Sequence, residues 1–236
     1  MRILVACEES QRVTIELRKR GHSAYSCDLV PCSGGFPEWH IQSDVLPLLN
    51  GDCSFSTMDG KTHTLCGKWD MIIAFPPCTY LTIAGTRHFS LKCNTPEKIA
   101  KREKLRESAA AFFLKFANAD CEKIAIENPV GYMSKHYKKP TQINEPYFFA
   151  ASTEDTENYV TKRTCIWLKG LPKLKPTAAL PRPAPYRKYV AKSGKVKGVC
   201  WAMKVSGKNQ AERAKQRSKT FMGVAKAMAI QWTEKG

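Results

Sequence analysis

Four short apolar runs limit what this chain can fold into more than any other feature: "RILVAC", "HSAYSCDL", "WDMIIAF" and "KIAIENP". Each has the length of a strand and ends in polar or proline-bearing sequence. "SQRVTIELRKRG" separates the first two. Its Val13, Leu17 and Arg20 fall at helical spacing, with Ser10 placed to cap the start and Gly21 to stop the end. "TPEKIAKREKLRESAAAFFLKFANA", residues 95–119, separates the last two and predicts a long helix, capped by Thr95 with Pro96 in its first position. A later run, "TKRTCIWL", alternates as a further strand. Residues 31–43, "PCSGGFPEWHIQS", read as a loop from their Pro and Gly content.

Strands separated by helices predict an α/β fold with a mostly parallel sheet and helices on both faces. Ligands in such folds sit at the carboxyl ends of the strands. There the chain places Glu8 and Glu9, Asp28, Asp44, Cys78, and Glu127 with Asn128. Any one of these could be a solvated loop residue; their recurrence after apolar strands makes them a constellation.

The 236 residues suffice for one substantial domain or a domain with an appendage. Lys and Arg outnumber Asp and Glu by 38 to 21, and a net charge of +17 points to a polyanionic partner, nucleic acid above all. The charge is concentrated. Residues 182–219 hold twelve Lys or Arg and one acid, Glu212, interleaved with Tyr186, Tyr189 and Trp201. Arg187, Lys192, Lys195 and Lys197 are the expected backbone contacts there. The preceding "GLPKLKPTAALPRPAPYRK" is an irregular connection by its prolines, and "SKTFMGVAKAMAIQW" returns to helical spacing. The expected layout is a catalytic core over 1–169, a small basic target-contact segment over 170–217, and a C-terminal helix over 218–236 that returns to the core.

The ten cysteines stand singly and make no disulfide framework; reduced thiols and a cytoplasmic location are expected. Cys27 and Cys32 lie near His22 and His40, but without the paired short spacings of a zinc site, so no metal is expected. The N-terminus reads as a buried strand rather than a secretory signal, and no apolar run approaches the roughly 18 residues of a membrane span.

"IIAFPPCTYLT", residues 72–82, puts a thiol just past a strand that two prolines end. Three explanations stand: a nucleophile, a relative of the Pro-Pro-aromatic loop that methylates amino groups, or a loop that happens to hold Cys. Cys78 and Glu127 together suit one chemistry. A thiolate adding to C6 of cytosine makes C5 nucleophilic, and an acid protonating N3 stabilises the adduct. An electrophilic methyl group must then be supplied, and the base must leave the duplex. The amino-methylating loops need a hydrogen-bond acceptor where this chain has Phe75, which cannot accept one.

In their order, "FPPCTYLT", "IENP" and, more weakly, "TKRTCIWL" resemble the Pro-Cys, Glu-Asn-Val and Gln-x-Arg-x-Arg blocks of the DNA (cytosine-5) methyltransferases. The likeness extends to the short phage-type members through "ACEESQ", "KRTCIWLKGLP" and a Phe-x-Gly-x-Ala-x-Ala-Met-Ala helix, and it runs nearly the whole length. It implies a Rossmann-like class I methyltransferase fold, S-adenosylmethionine as cofactor, DNA (double-stranded) as partner, and a monomer or weak dimer. It implies Cys78 as nucleophile, Glu127 as the acid, Arg163 as a contact to the flipped base, and Asn128 as a brace of the Pro-Cys loop near the DNA, with Lys162 beside Arg163. For the cofactor it implies Asp28 at the ribose and Asp44 at the adenine. Ala6, Cys7, Glu8, Ser10 and Gln11 would surround the methionine end near helix N-terminal amides, with Phe75 and Pro76 alongside.

The chain departs from that pattern at three places. "ACEESQ" replaces a glycine-rich first loop, and its two acids suit the cofactor's amino group better than its carboxylate. "KRT" lacks the family glutamine. Only about 50 residues are left for target recognition, which suits relaxed specificity, a dimer or a substrate needing little readout.

Overall fold

The computed structural model describes residues 1–191, 193–199 and 201–234. It divides into two compact units, residues 1–143 with 164–173, and residues 144–163 with 174–236. Residues 144–163 thus leave the linear run 1–169 expected for the core.

The first unit is built on a sheet. Its strands are β1 (Arg2–Ala6), β2 (Ser23–Asp28), β3 (His40–Gln42), β4 (Cys53–Ser56), β5 (Thr62–Leu65), β6 (Met71–Ala74), β7 (Ile124–Pro129), β8 (Gln142–Asn144) and β9 (Thr164–Lys169). β4 and β5 form a separate hairpin, and the other seven form one sheet in the order β3-β2-β1-β6-β7-β9-β8. β1 pairs in parallel with both β2 and β6, and β6 in parallel with β7, whereas β9 runs antiparallel to β7. The protein is therefore α/β, with a mostly parallel seven-stranded sheet.

Helix α1 (Arg12–Lys19) joins β1 to β2, and α2 (Pro96–Ala117) joins β6 to β7. The first crossover moves outward one way from β1 and the second the other way from β6. Right-handed crossovers in opposite directions place the two helices on opposite faces. The C-terminal half of α2 buries Ala110, Phe113 and Phe116 against a core that includes Ile72, Ile124, Ile126 and Trp167. Its N-terminal half, rich in Lys and Arg, stays largely exposed. Thr95 is the residue before the first turn and Pro96 opens the helix, where its missing N–H costs no intrahelical bond.

Two short strands, β3 and β8, escape the periodicity argument. β3 lies inside the Pro- and Gly-rich stretch 31–43, after a 3₁₀ turn over Pro37–Trp39. "DVLPLL" forms a 3₁₀ turn over Leu46–Leu48, and the side chain of Asp44 just before it accepts from the Leu46 amide at 3.0 Å. A short helix, α3 (Met133–His136), follows β7.

The second unit contains the hairpin β10 (Lys188–Val190) and β11 (Val196–Gly198), and the helices α4 (Trp201–Lys204), α5 (Gln210–Ser218) and α6 (Met222–Gln231). α5 is a helix inside the stretch expected to be an irregular basic segment. Asn209 caps it by accepting from the Glu212 amide at 2.8 Å, while Glu212 accepts from the Lys208 amide at 2.6 Å. α6 packs against the turn Pro146–Phe149; Gly223 sits where a side chain would overlap the Phe149 carbonyl, and its amide donates to Asn158 Oδ1 at 2.8 Å. No helix among the described residues is long and apolar enough to cross a membrane.

Candidate active site

β6 and β7 lie side by side in parallel, with Ala74 opposite Ile126. The chain leaving β6 and the last residues of β7 therefore emerge at the same edge of the sheet. Phe75 donates its amide to Ala6 O at 3.0 Å, which ties that exit to the end of β1. One strand over, Asn128 donates its side-chain amide to Pro76 O at 2.8 Å. Pro76 O can only accept, so this bond fixes which way the Asn128 amide faces. Asn128 is 1% exposed. Burial keeps it from meeting nucleic acid and leaves it the brace of the segment before Cys78.

Cys78 itself is exposed. Its carbonyl accepts from the Leu81 and Thr82 amides at 2.9 and 3.0 Å, so the chain turns sharply behind the thiol. The turn is then stitched to the chain that follows β7. Tyr132 donates to Leu81 O at 2.7 Å and Ile83 to Val130 O at 3.0 Å, on either side of a bridge between Thr82 and Gly131. Gly131 has no alternative residue there, because a Cβ would overlap the Leu81 carbonyl. Glu127 is half-buried in β7, one residue before Asn128 and opposite Ile166 of β9. The structure thus brings the Cys78 turn and the Glu127–Asn128 end of β7 to one edge.

The first loop is organised differently. Glu8 is 4% exposed, and its carboxylate accepts from the Val13 amide at 2.6 Å, the Thr14 amide at 3.2 Å and the Thr14 hydroxyl at 2.7 Å. It caps α1 from five residues upstream. The expected cap, Ser10, does not do so; Gln11 holds the N-cap position, with φ of 57° and no capping bond from its side chain. Cys7 is also left-handed, with φ of 58°. The loop thus takes glycine-like geometry twice without glycine. The Val13 and Thr14 amides, which would face a cofactor carboxylate, are bonded to Glu8. Burial pushes the Glu8 carboxyl up to about 7, against the bonds from Val13 and Thr14 that hold it down.

Gln11 is fully buried. Its side chain donates to Phe36 O at 2.8 Å and accepts from the Phe36 amide at 3.2 Å, so it secures the loop after β2 and has no surface to offer a ligand. Ser10 and Ala6 are likewise buried. Cys7 is half-exposed at the residue level, with its thiol pushed up by burial and then by the charges of Asp28 and Asp44. The fields of both acids therefore converge on the end of β1. Asp28, at the end of β2, is half-buried and raised by desolvation; Asp44 is exposed. Phe75 is half-buried and Pro76 buried.

The first loop, Asp28, Asp44 and the Cys78 edge all belong to the first unit. No profile of a known protein family matches the chain, and no curated protein does. What the site can do therefore rests on its residues.

The remaining expected contacts belong to the second unit. Arg163 is exposed, next to the start of β9. Lys162 donates to Arg217 O at 2.9 Å, and its ammonium lies 5.6 Å from the rings of both Trp201 and Phe221. Arg187, Lys195 and Lys197 are exposed in and around the β10–β11 hairpin. Lys192 lies outside the described residues.

Two residues near Cys78 were not singled out from the sequence. Arg102 and Arg106 of α2 reach the carbonyls of Thr79 and Tyr80, at 3.5 and 3.4 Å. In the sequence they are two cations among many on a helix. Their i, i+4 spacing was the only available sign.

Proposed function

We propose that this chain is a DNA (cytosine-5) methyltransferase using S-adenosylmethionine, with Cys78 as nucleophile and Glu127 as the acid that protonates the ring. The observation that carries this reading is the Asn128–Pro76 hydrogen bond, because it joins the segment bearing the thiol to the strand bearing the carboxylate. The sheet supports it. Counting only its own strands in chain order, the run β3-β2-β1-β6-β7 is 3-2-1-4-5, the doubly wound order. In a Rossmann-like class I methyltransferase, the ligand crevice would open at the ends of β1 and β6, where the order reverses.

The residues there fit the cofactor in part. Asp28 is an acceptor at the end of β2 suited to ribose hydroxyls, and Asp44 is exposed for an exocyclic amine. Glu8 leaves no room for a carboxylate at the Val13 and Thr14 amides, so the acids of the first loop favour the ammonium group instead. When bound, S-adenosylmethionine supplies an electrophilic methyl group. The chain's own work is different. The Cys78 thiolate adds to C6 of a cytosine while a proton from Glu127 on N3 stabilises the adduct. C5 becomes nucleophilic, and once it carries the methyl group its own proton leaves to solvent, the C6–S bond breaks to restore the ring double bond, and the N3 proton returns to Glu127. Cytosine must be flipped out to reach an exposed thiol on a strand end. Arg163 would meet the extruded base. Lys162, Arg187, Lys192, Lys195 and Lys197 would hold phosphates of double-stranded DNA.

The test is incubation with labelled S-adenosylmethionine and DNA, followed by mass spectrometry of the nucleosides. 5-Methylcytosine is expected; N4-methylcytosine or N6-methyladenine would overturn the mechanism. A second reading, a non-catalytic nucleic-acid-binding protein on the same scaffold, is favoured by Glu8, which fills a helix N-terminus that a cofactor would otherwise use. Calorimetric absence of S-adenosylmethionine binding would select it.

A further inference from the structure

The backbone just after Cys78 rests on two cations. The Arg102 guanidinium lies 5.0 Å from the Tyr80 ring and 5.1 Å from the Phe89 ring, and donates to Thr79 O at 3.5 Å. The Arg106 guanidinium lies 3.2 Å from the Phe89 ring and 4.9 Å from the Tyr132 ring, and donates to Tyr80 O at 3.4 Å. Tyr80 belongs to the turn that follows the thiol, and Tyr132 to the chain that follows Glu127. Both strand exits are therefore held from below by one arginine pair. Neither guanidinium forms an ion pair among the described residues, and Arg102 Nε is buried without a hydrogen-bond partner. Burial also makes the Arg106 charge costly, which draws its proton affinity down, with Glu103 one turn away acting in the opposite sense.

Two positive charges held on aromatic faces without a carboxylate partner are not neutralised by an adjacent anion. Thr79 and Tyr80 are the first and second residues after Cys78, and successive Cα atoms stand about 3.8 Å apart, so both guanidinium groups bond backbone whose Cα atoms lie within about 8 Å of the Cys78 Cα, inside a Debye length of roughly 10 Å at about 0.1 M salt. We propose that Arg102 and Arg106 are positioning residues for Cys78: they fix the turn that carries the thiol and supply the positive field that favours its thiolate. The charged and titratable groups in and around the turn include Arg102, Arg106 and Glu103 on α2, Tyr80 in the turn itself, Tyr132 beyond β7, and Glu127 on β7. Of these, the arginine pair is the source of positive charge.

The proposal deepens the nucleophile reading, and its test needs neither cofactor nor DNA. The full chain is alkylated with iodoacetamide across a pH series, and each cysteine peptide is quantified by mass spectrometry. Cys66 and Cys93, also exposed, serve as references within the same molecule. Cys78 should inflect about one pH unit below the ordinary thiol value near 8.5, while the references do not. Arg102→Met with Arg106→Met should raise the Cys78 inflection to that of the references. Arg102→Lys with Arg106→Lys, which keeps the charges, should hold it down. An inflection of Cys78 at or above the references in the unaltered protein would overturn the proposal, whatever the variants do. So would a low inflection that survives in the Met pair. A low, arginine-dependent inflection without any 5-methylcytosine would uphold this proposal and sink the methyltransferase. 5-Methylcytosine with an ordinary thiol inflection would do the reverse.

Discussion

The loops that leave β1 and β6 start from neighbouring strands and solve opposite problems. The β1 loop is closed from within: Glu8 folds back on α1, Gln11 reaches to Phe36, and Ala6, Glu8, Ser10 and Gln11 are all buried. The β6 loop is held from outside, by Asn128, by Gly131 and its flanking amides, and by Arg102 and Arg106, while Cys78 remains exposed. A loop that caps itself gives stability and leaves few groups for a ligand. A loop held by its neighbours keeps its own reactive side chain exposed. On this comparison the β6 loop is the one whose geometry suits chemistry, and the β1 loop is the one that takes glycine-like backbone without glycine.

The comparison breaks most directly at Cys78. Because the thiol is exposed, Cys78→Ser should leave the thermal midpoint within about 2 °C of the parent, consistent with a surface change of at most ~0.5 kcal/mol. Methyl transfer to cytosine should fall by at least about a thousandfold, since a serine hydroxyl is a far weaker nucleophile than a thiolate. A Cys78→Ser protein that still yields 5-methylcytosine at parental rate would remove the nucleophile from the β6 loop altogether.

Next in size is Gly131. Its added Cβ would meet a backbone carbonyl rather than a side-chain end, so the Leu81–Ile83 stitch must open. Gly131→Ala should cost about 3 kcal/mol in urea unfolding. An unaltered midpoint would show that the stitch does not hold the turn.

Much of this was legible in the sequence, and the boundary is physical. β1, β6 and the first half of β7 are apolar because the sheet is covered on both faces, so their composition alone announces them. β3 and β8 are three residues each, too short for any period to show. The β4–β5 hairpin did carry a signal, Asp59-Gly60 between two Thr- and Ser-rich runs, with Gly60 at φ of 85°. Cys78, Glu127 and Asn128 stood out because they follow apolar runs. Glu8 as a helix cap did not, since caps are expected at the residue bordering the helix and not five positions before its bonded amide. Arg102 and Arg106 gain their meaning only when α2 is laid under the turn.

Asn128 sharpens the comparison at smaller cost. Asn128→Ala leaves the Pro76 carbonyl buried without its donor, which should lower stability by about 2 kcal/mol. The loss should be local. Hydrogen exchange at the Leu81 and Thr82 amides, which bond to Cys78 O, should quicken by at least about tenfold, whereas the Val13 and Thr14 amides under Glu8 should not change. Equal quickening at both loops would mean that they are one cooperative piece and not two differently built ones.

The smallest effect belongs to the self-closed loop and appears as a pH slope. Glu8 is raised in the folded chain from an ordinary value near 4.5 to about 7, burial outweighing the bonds from Val13 and Thr14. Between those values the folded chain holds a proton that the unfolded chain has released. Its contribution is thus complete below about pH 4.5 and is lost as pH rises through about 7. Glu8→Gln cannot ionise, and its amide oxygen still accepts from α1. Subtracting its urea-unfolding free energies from those of the parent should therefore leave a decline of roughly 1 kcal/mol per pH unit between about pH 5 and about pH 7. A parent stability that rises across that window relative to Glu8→Gln would mean that the ionised carboxylate is favoured at the α1 N-terminus. The helix dipole and three hydrogen bonds would then outweigh burial, and Glu8 would be a charged cap rather than one largely neutral at mildly acidic pH.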